Sequence, residues 1–264
     1  MNKISILGSG TSTGVPILGC KCRICQSNDP RNKRLRASIL LETKNSKSIL
    51  VDTSPDLRAQ LLSSQTTTID AVIITHDHAD HTHGIDDLRP FSFRTQTPIP
   101  VFSDSVTCNS LTTKFPYIFQ RNKPTLGGGI PLLNLHPISE GAHYILDEIF
   151  NFYFLPHGHG SSLCFIHEKF GYIVDCREIP PHVLKSFTQA KLDLLVIDCL
   201  RYEPHQTHLH LDLTLKYIEA IRPKKAILTH MGHEIGYSDI TNQLISLGYN
   251  SIFPAIDGQT FLYS

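Results

Sequence analysis

The stretch Thr75-His76-Asp77-His78-Ala79-Asp80-His81 decides how this chain is read. Three histidines and two aspartates fall within the six positions from His76 to His81. The run before it, Ala71-Val72-Ile73-Ile74, has the length and apolar character of a buried strand. Imidazole and carboxylate are ligands that suit zinc, manganese and iron. In extended backbone, residues two apart point the same way, so His76 and His78 can aim at one ion. Asp80 and His81 follow in the turn and can reach a second. The stretch therefore reads as half of a two-metal hydrolytic centre, and the remainder of the chain has to supply the other half.

With 264 residues the chain is long enough to bury a real core. Its 41 % apolar and 18 % charged content is that of a globular protein. Lys+Arg and Asp+Glu both number 24, so formal net charge is zero, which argues against a large non-specific nucleic-acid footprint. No basic-then-apolar leader opens the sequence, and no apolar run approaches a membrane span, so neither a signal peptide nor a membrane segment is expected. Seven cysteines is an odd count. Cys20, Cys22 and Cys25 crowd one loop, while Cys108, Cys164, Cys176 and Cys199 are scattered, several of them in apolar runs. This is no disulfide framework; it fits a reducing cytoplasm with the clustered thiols on a metal.

Strands are expected at Lys3–Leu7, Ala37–Glu42, Ser48–Asp52, Ala71–Ile74, Pro98–Phe102, Phe150–Pro156, Ser162–His167, Phe170–Asp175, Leu192–Leu200 and Ala226–Thr229, with a final strand pair ending at Tyr263. Helices are expected from Pro55 to about Leu62, capped by Ser54, from Gly84 to about Arg89, and over Pro180–Ala190, Asp212–Ile221 and Ile240–Leu247. Gly8–Gly14 reads as a sharp turn with close backbone contacts; a phosphate contact is the weaker alternative. Arg31, Lys33, Arg34 and Arg36 read as a solvated basic face, or one that meets an anionic substrate or partner. Residues 104–129 carry Phe115, Tyr117, Phe119 and three consecutive glycines, and read as a mobile flap or a dimer contact. Val72-Ile73-Ile74-Thr75-His76 and Ala226-Ile227-Leu228-Thr229-His230 resemble each other: each is an apolar strand ending in Thr-His. Two similar halves feeding one cleft, within a single domain over 1–264, is the expected organisation.

His76-x-His78-x-Asp80-His81 resembles the signature of the metallo-β-lactamase-fold hydrolases. Gly8-Ser9-Gly10-Thr11-Ser12, Asp52-Thr53-Ser54-Pro55-Asp56 and the later single ligands extend the likeness over nearly the whole chain. The subgroup it most resembles is the cyclic phosphodiesterases of the carbon–phosphorus lyase pathway; tRNA 3′-processing endonucleases are relatives. The resemblance implies an α/β fold, a four-layer αββα sandwich. It implies a third histidine for the first metal, for which His157 and His159 are both candidates and His157 is preferred. It implies a bridging aspartate, Asp175, and a last ligand, His230. The implied sites are then His76, His78, His157 and Asp175 for one ion, and Asp80, His81, Asp175 and His230 for the other, with Asp80 also counted as catalytic. The ions would be Mn²⁺ or Zn²⁺, or Fe²⁺, holding a bridging hydroxide as nucleophile. His208 corresponds to a non-ligand histidine that protonates the leaving oxygen. His205 is a candidate substrate contact, and His210 reads as structural. In the same subgroup a cysteine triad is completed by a histidine three residues past the last catalytic one, which makes Cys20, Cys22, Cys25 and His233 a structural Zn²⁺ site.

The function expected from this is a metal-dependent phosphodiesterase acting on a small cyclic or nucleotide-like phosphodiester. A tRNA 3′-processing activity would need a basic arm, and residues 121–129, with Arg121, Lys123 and three glycines, are short and barely charged. Thiolester hydrolysis is compatible with the ligands; a secreted β-lactamase is disfavoured by the thiols. A purely binding role predicts lost ligands, and none is missing. A homodimer is what the family likeness suggests.

Overall fold

The computed structural model describes residues 1–120 and 129–264. The first half of the chain lays down β1 (Asn2–Gly8), β2 (Ser38–Glu42), β3 (Ser48–Val51), α1 (Leu57–Ser63), β4 (Ala71–Ile73), α2 (Ala79–Thr82), α3 (Arg89–Thr95), β5 (Ile99–Ser103), α4 (Ser105–Lys114), α5 (Pro116–Phe119) and β6 (Leu133–Pro137). The second half follows with β7 (Gly141–Ile145), β8 (Glu148–His157), β9 (Gly160–His167), β10 (Phe170–Ile173), α6 (Pro181–Gln189), β11 (Leu194–Asp198), α7 (Leu211–Ile221), β12 (Lys225–Thr229), α8 (Tyr237–Ser246), β13 (Ile252–Pro254) and β14 (Thr260–Tyr263).

These strands form two seven-stranded sheets, ordered β14-β1-β2-β3-β4-β5-β6 and β13-β12-β11-β10-β9-β8-β7. Alternation along the first sheet explains why its strands read as unbroken apolar runs. Ile39, Leu41, Ile49, Val51, Ala71 and Ile73 face the other sheet and join its core. Their neighbours Leu40, Leu50, Val72 and Ile74 face outward onto Leu57, Leu61, Leu88 and Leu111 of the covering helices. Both faces are dry, which gives the four-layer αββα sandwich.

Each half begins as an antiparallel meander and ends in parallel strands. Strands β3 through β6 run parallel, with helices in the connections. Strands β10 through β13 do the same. Helical crossovers are what parallel neighbours require. The carboxyl ends of β3, β4, β10, β11 and β12 deliver Asp52, His76, Asp175, Asp198 and His230, the place where open α/β sheets gather ligands.

Several expectations need correction. The last two strands do not pair with each other: β13 extends the second sheet beside β12, and β14 lies against β1 in the first. Strands β6 and β7 carried no clear signal, because they are edge strands, largely exposed, and their alternation is blurred by polar residues. The first helix begins at Leu57, and Ser54 is not its cap; the buried Ser54 hydroxyl accepts from the Asp56 amide and donates to Gln60 Oε1. The turn after Gly84 is 3₁₀ over Ile85–Leu88 and runs on into α3. Part of the 104–129 stretch is helix α4, capped by Asp104, which accepts from Val106 N at 2.7 Å and Thr107 N at 3.0 Å. Its Ser, Thr and Asn content hid it. The remainder of the expected flap or basic arm, 121–128, lies outside the described residues. Gly8 and Gly10 do sit against neighbouring backbone: a Cβ at Gly8 would stand 2.0 Å from Arg36 O. None of the described helices is long and apolar enough to cross a membrane.

Candidate metal centre

His76, at the end of β4, and His78, two residues on, meet His157 at the end of β8. Their ligand atoms all lie within 4.8 Å of one another. His157 Nε2 stands 3.3 Å from His78 Nδ1. Two nitrogens at zinc–imidazole distance from one tetrahedral ion are about 3.3–3.4 Å apart, so the spacing matches a shared cation. His159 sits in the exposed turn between β8 and β9 and is not in this group. Beside it, Asp80, His81, Asp175 and His230 form a second group. Asp175 lies between the two. Its Oδ2 is 2.6 Å from His81 Nε2 and 3.7 Å from His76 Nε2, and its Oδ1 is 3.1 Å from His230 Nε2.

Whether these residues fit cations can be tested on their own polar atoms. His76 Nε2, His81 Nε2, His230 Nε2 and both Asp175 carboxylate oxygens are fully buried and satisfy no hydrogen-bond geometry. Native structures seldom strand one such atom, let alone five facing a common space. Close approach without hydrogen-bond geometry is what lone pairs converging on a cation produce, and the donor set fits divalent metals. Electrostatics agree. Burial drives the His81 imidazole down, yet Asp52, Asp175 and Asp80 outweigh it and hold the ring well above its ordinary value. Asp175 is fully buried, yet His230, His81 and His208 keep it well below the usual carboxylate range.

The far nitrogens of two of the rings are held by hydrogen bonds. His81 Nδ1 is 2.7 Å from Asp52 Oδ2. His157 Nδ1 donates to Thr207 O at 3.0 Å. His230 Nδ1 faces Asp198 Oδ1 at 3.7 Å. A carboxylate or carbonyl behind a histidine orients it and raises its basicity as a ligand. Asp52 and Asp198 are thus part of the site, although the sequence reading gave neither a role. Each closes an apolar strand with a carboxylate, as Asp175 also does. Asp52, Asp175 and His230 also share left-handed backbone, with φ of 64°, 53° and 58°. Such conformations cost about 1–3 kcal/mol each and persist where the surroundings demand them.

His208 stands over this centre. Its Nδ1 is 3.0 Å from Asp175 Oδ1 and 3.3 Å from Asp198 Oδ2. Burial opposes protonation, but the hydrogen bond to Asp198 and the adjoining carboxylate of Asp175 prevail and raise the imidazole to about 10. With Nδ1 engaged by Asp198, Nε2 is left for another partner. His205 lies 5.1 Å from His208, ring centre to ring centre. His210 is the residue before α7 and bridges to Arg201.

Cys20, Cys22, Cys25 and His233 also come together. His233 Nδ1 is 3.3, 3.5 and 3.5 Å from the three sulfurs. A tetrahedral zinc with ordinary Zn–S and Zn–N lengths has S–N edges of about 3.6 Å. The basic run beside this loop is only partly the solvated face expected: Arg31 and Lys33 are exposed, and Arg34 is not. Arg34 is 2 % exposed and donates to Gly232 O at 3.0 Å and Ile235 O at 2.8 Å. Arg36 pairs with Asp56, Arg31 with Asp29, and Lys33 Nζ donates to Cys25 O. Arg34 alone of these holds the N-terminal loop against Gly232 and Ile235, which hydropathy does not reveal.

A family model described as a beta-lactamase superfamily domain matches residues 47–231, from β3 through His230. The chain belongs to the beta-lactamase superfamily. The match takes in all seven residues of the proposed two-metal centre and His208, and omits the cysteine loop and His233. An octanoyltransferase of Porphyromonas gingivalis is 31 % identical over 258 residues, 96 % of this chain. The chain spans about half the length of that curated relative, 51 %. Coenzyme PQQ synthesis protein B of Methylococcus capsulatus is 25 % identical over 227 residues, 74 % of this chain and 72 % of that one. Among solved structures, a diphosphatase from the PhnP family is 32 % identical with a TM-score of 0.89, covering 98 % of this chain and 96 % of that one. Human tRNase Z, short form, shares the fold at 15 % identity and a TM-score of 0.67, covering 99 % of each chain. Within the superfamily this chain is a metal-dependent hydrolase.

Proposed function

We propose that the protein hydrolyses small phosphodiesters or phosphoanhydrides, with His76, His78, His157 and Asp175 holding one divalent cation and Asp80, His81, Asp175 and His230 a second. The carrying observation is His208, whose Nδ1 lies 3.0 Å from Asp175 Oδ1 and 3.3 Å from Asp198 Oδ2, setting the ring beside the converging ligands. The diphosphatase relative, similar over nearly its whole length, supports the same reading. When bound, the two cations would offset phosphoryl charge and make water more acidic. The chain's own residues do the remaining work. The P–O bond to the leaving group breaks with its electron pair on the leaving oxygen, which takes the Nε2 proton of His208. Water supplies the oxygen that stays on phosphorus, and one of its protons restores the imidazolium. Asp198 and Asp175 hold the ring in the orientation this needs.

Octanoyl transfer is not carried over, because the relative of that name is twice as long as this chain. The cysteine–histidine group is proposed as a closed structural zinc site. The test is a panel of cyclic and linear phosphodiesters and diphosphate diesters, assayed with Mn²⁺ and with Zn²⁺. Hydrolysis that vanishes in Asp175→Ala is expected. No hydrolysis of any phosphoester, or full activity in that variant, overturns the proposal.

A further inference from the structure

Thr75 stands between the apolar run and the ligand stretch, and its side chain is fully buried. Strands β3 and β4 are parallel neighbours, with Val51 beside Ile73, and this register brings Asp52 next to Thr75. The Thr75 hydroxyl lies 2.9 Å from Asp52 Oδ2 and 3.1 Å from Asp52 Oδ1. On its other side it lies 3.1 Å from His76 Nδ1. His81 Nδ1 is farther from it, at 3.5 Å, and is already engaged by Asp52 Oδ2 at 2.7 Å. The hydroxyl therefore sits between Asp52 and His76.

The direction of these bonds follows from what each group can give. A carboxylate only accepts, so the single hydroxyl proton goes to Asp52, and either carboxylate oxygen can take it. Toward His76 the hydroxyl oxygen can then only accept. The neutral His76 ring has one proton and two places for it. At Nδ1 the proton meets Thr75 Oγ1, the one partner of that nitrogen among the described residues. At Nε2 it would face Asp175 Oδ2, which at 3.7 Å is beyond hydrogen-bond range. Nε2 has no hydrogen-bond partner. Thr75 thus draws the proton to Nδ1 and leaves Nε2 bare, the form that a cation requires.

We propose that Thr75 is a positioning residue for the cation site of His76, His78 and His157. Its hydroxyl extends the hold of Asp52 by one step. One buried carboxylate then orients a ligand on each cation, His81 directly and His76 through Thr75. This role rests on the two-cation assignment above.

The experiment starts from zinc-loaded protein carrying ¹⁵N-labelled histidine and withdraws the catalytic Zn²⁺ with a chelator. Wild type is compared with Thr75→Val, which keeps the shape and loses the hydroxyl, and with Thr75→Ser, which keeps the hydroxyl. As Zn²⁺ leaves, the ring ¹⁵N shifts of wild-type His76 should show a protonated Nδ1 and a bare Nε2. In Thr75→Val the proton should shift toward Nε2. That variant should bind Zn²⁺ at the His76 site about tenfold more weakly, while Thr75→Ser stays within about threefold of wild type. A contact that only supported the fold would not move a proton between ring nitrogens. His76 protonated at Nε2 in the wild type overturns the role of Thr75. So does wild-type Zn²⁺ affinity in Thr75→Val, or an equal loss in Thr75→Ser. If the wild type holds no Zn²⁺ outside the cysteine group, the two-cation assignment itself falls, and this role with it.

Discussion

Asp52→Asn is the sharpest test of the second cation site, because it changes one atom behind one ligand. Asp52 is fully buried at the end of β3. Its Oδ1 accepts from Thr75 N at 2.7 Å, and its Oδ2 faces His81 Nδ1 at 2.7 Å. Asparagine fits the space, tolerates the left-handed backbone there, and keeps an acceptor for the Thr75 amide. Its amide nitrogen then replaces Oδ2 and donates to His81 Nδ1. That pushes the imidazole proton onto Nε2, the atom aimed at Asp175 and Asp80 and needed bare for a cation. Removing an orienting partner behind a metal-bound histidine typically costs 10–100-fold in affinity, about 1.4–2.7 kcal/mol. The wrong tautomer should put this variant at the upper end. Asp52→Ala, by contrast, strands the Thr75 amide at about 1–3 kcal/mol of fold stability. Chelator competition should show the second equivalent of metal weakened in Asp52→Asn, with thermal unfolding of the metal-free protein near wild type. Excess metal should restore part of the hydrolysis. Wild-type affinity for both catalytic equivalents would refute the reasoning.

Three further outcomes are expected. His233→Ala should lose one tightly held zinc per chain and unfold at lower temperature, checked by metal analysis and a melting curve. Arg34→Met removes donors from Gly232 O and Ile235 O, but also removes a guanidinium that burial pushes down to about 10, a cost of roughly 3 kcal/mol. Urea unfolding should therefore show a net loss of only about 1–3 kcal/mol, while a chelator strips the cysteine site faster than in wild type. Asp257 is raised from 3.8 to about 6, chiefly by burial. Its contribution to stability is full below about pH 4 and lost as pH rises through about 6, a swing of about 3 kcal/mol. The wild type should therefore gain on Asp257→Asn as pH falls from 7 to 4, read as the difference between their urea midpoints at each pH.

What the sequence disclosed follows from the range of the interactions involved. Strands β2 to β4 and β10 to β12 were legible because both of their faces are largely buried and most positions are apolar, and β8 because its buried positions alternate. The clustered ligands were legible because four of them are neighbours in sequence. Asp175 needed the family resemblance, and His230 that resemblance together with the recurring apolar strand closed by Thr-His. Asp198 also closes an apolar strand, but a single carboxylate has no distinctive local context. Arg34 was misread for a related reason. Nothing within reach along the chain tells a solvated arginine from one whose partners are the carbonyls of Gly232 and Ile235, some 200 residues away. The edge strands β6 and β7 bury too little to leave an alternation.

The two metal groups are not independent, and the fold shows how they are joined. His230 closes β12, and the next five residues hold three separate fastenings to the N-terminal loop. Met231 N donates to Ser9 O at 2.9 Å and Thr11 N to Met231 O at 3.3 Å. Arg34 grips Gly232 and Ile235, and His233 meets the three cysteines. A strand-end residue with φ of 58° keeps its direction only while the turn after it is held. Ordering the cysteine loop therefore positions His230, and through Asp175 the whole shared centre. The His76–His81 stretch carries ligands that can be recognised anywhere in the superfamily, whereas the geometry of the second half depends on a loop from the opposite end of the chain. Loss of zinc at the cysteine site should accordingly reach the catalytic centre as a displaced His230, weakening the group of Asp80, His81, Asp175 and His230 before that of His76, His78 and His157.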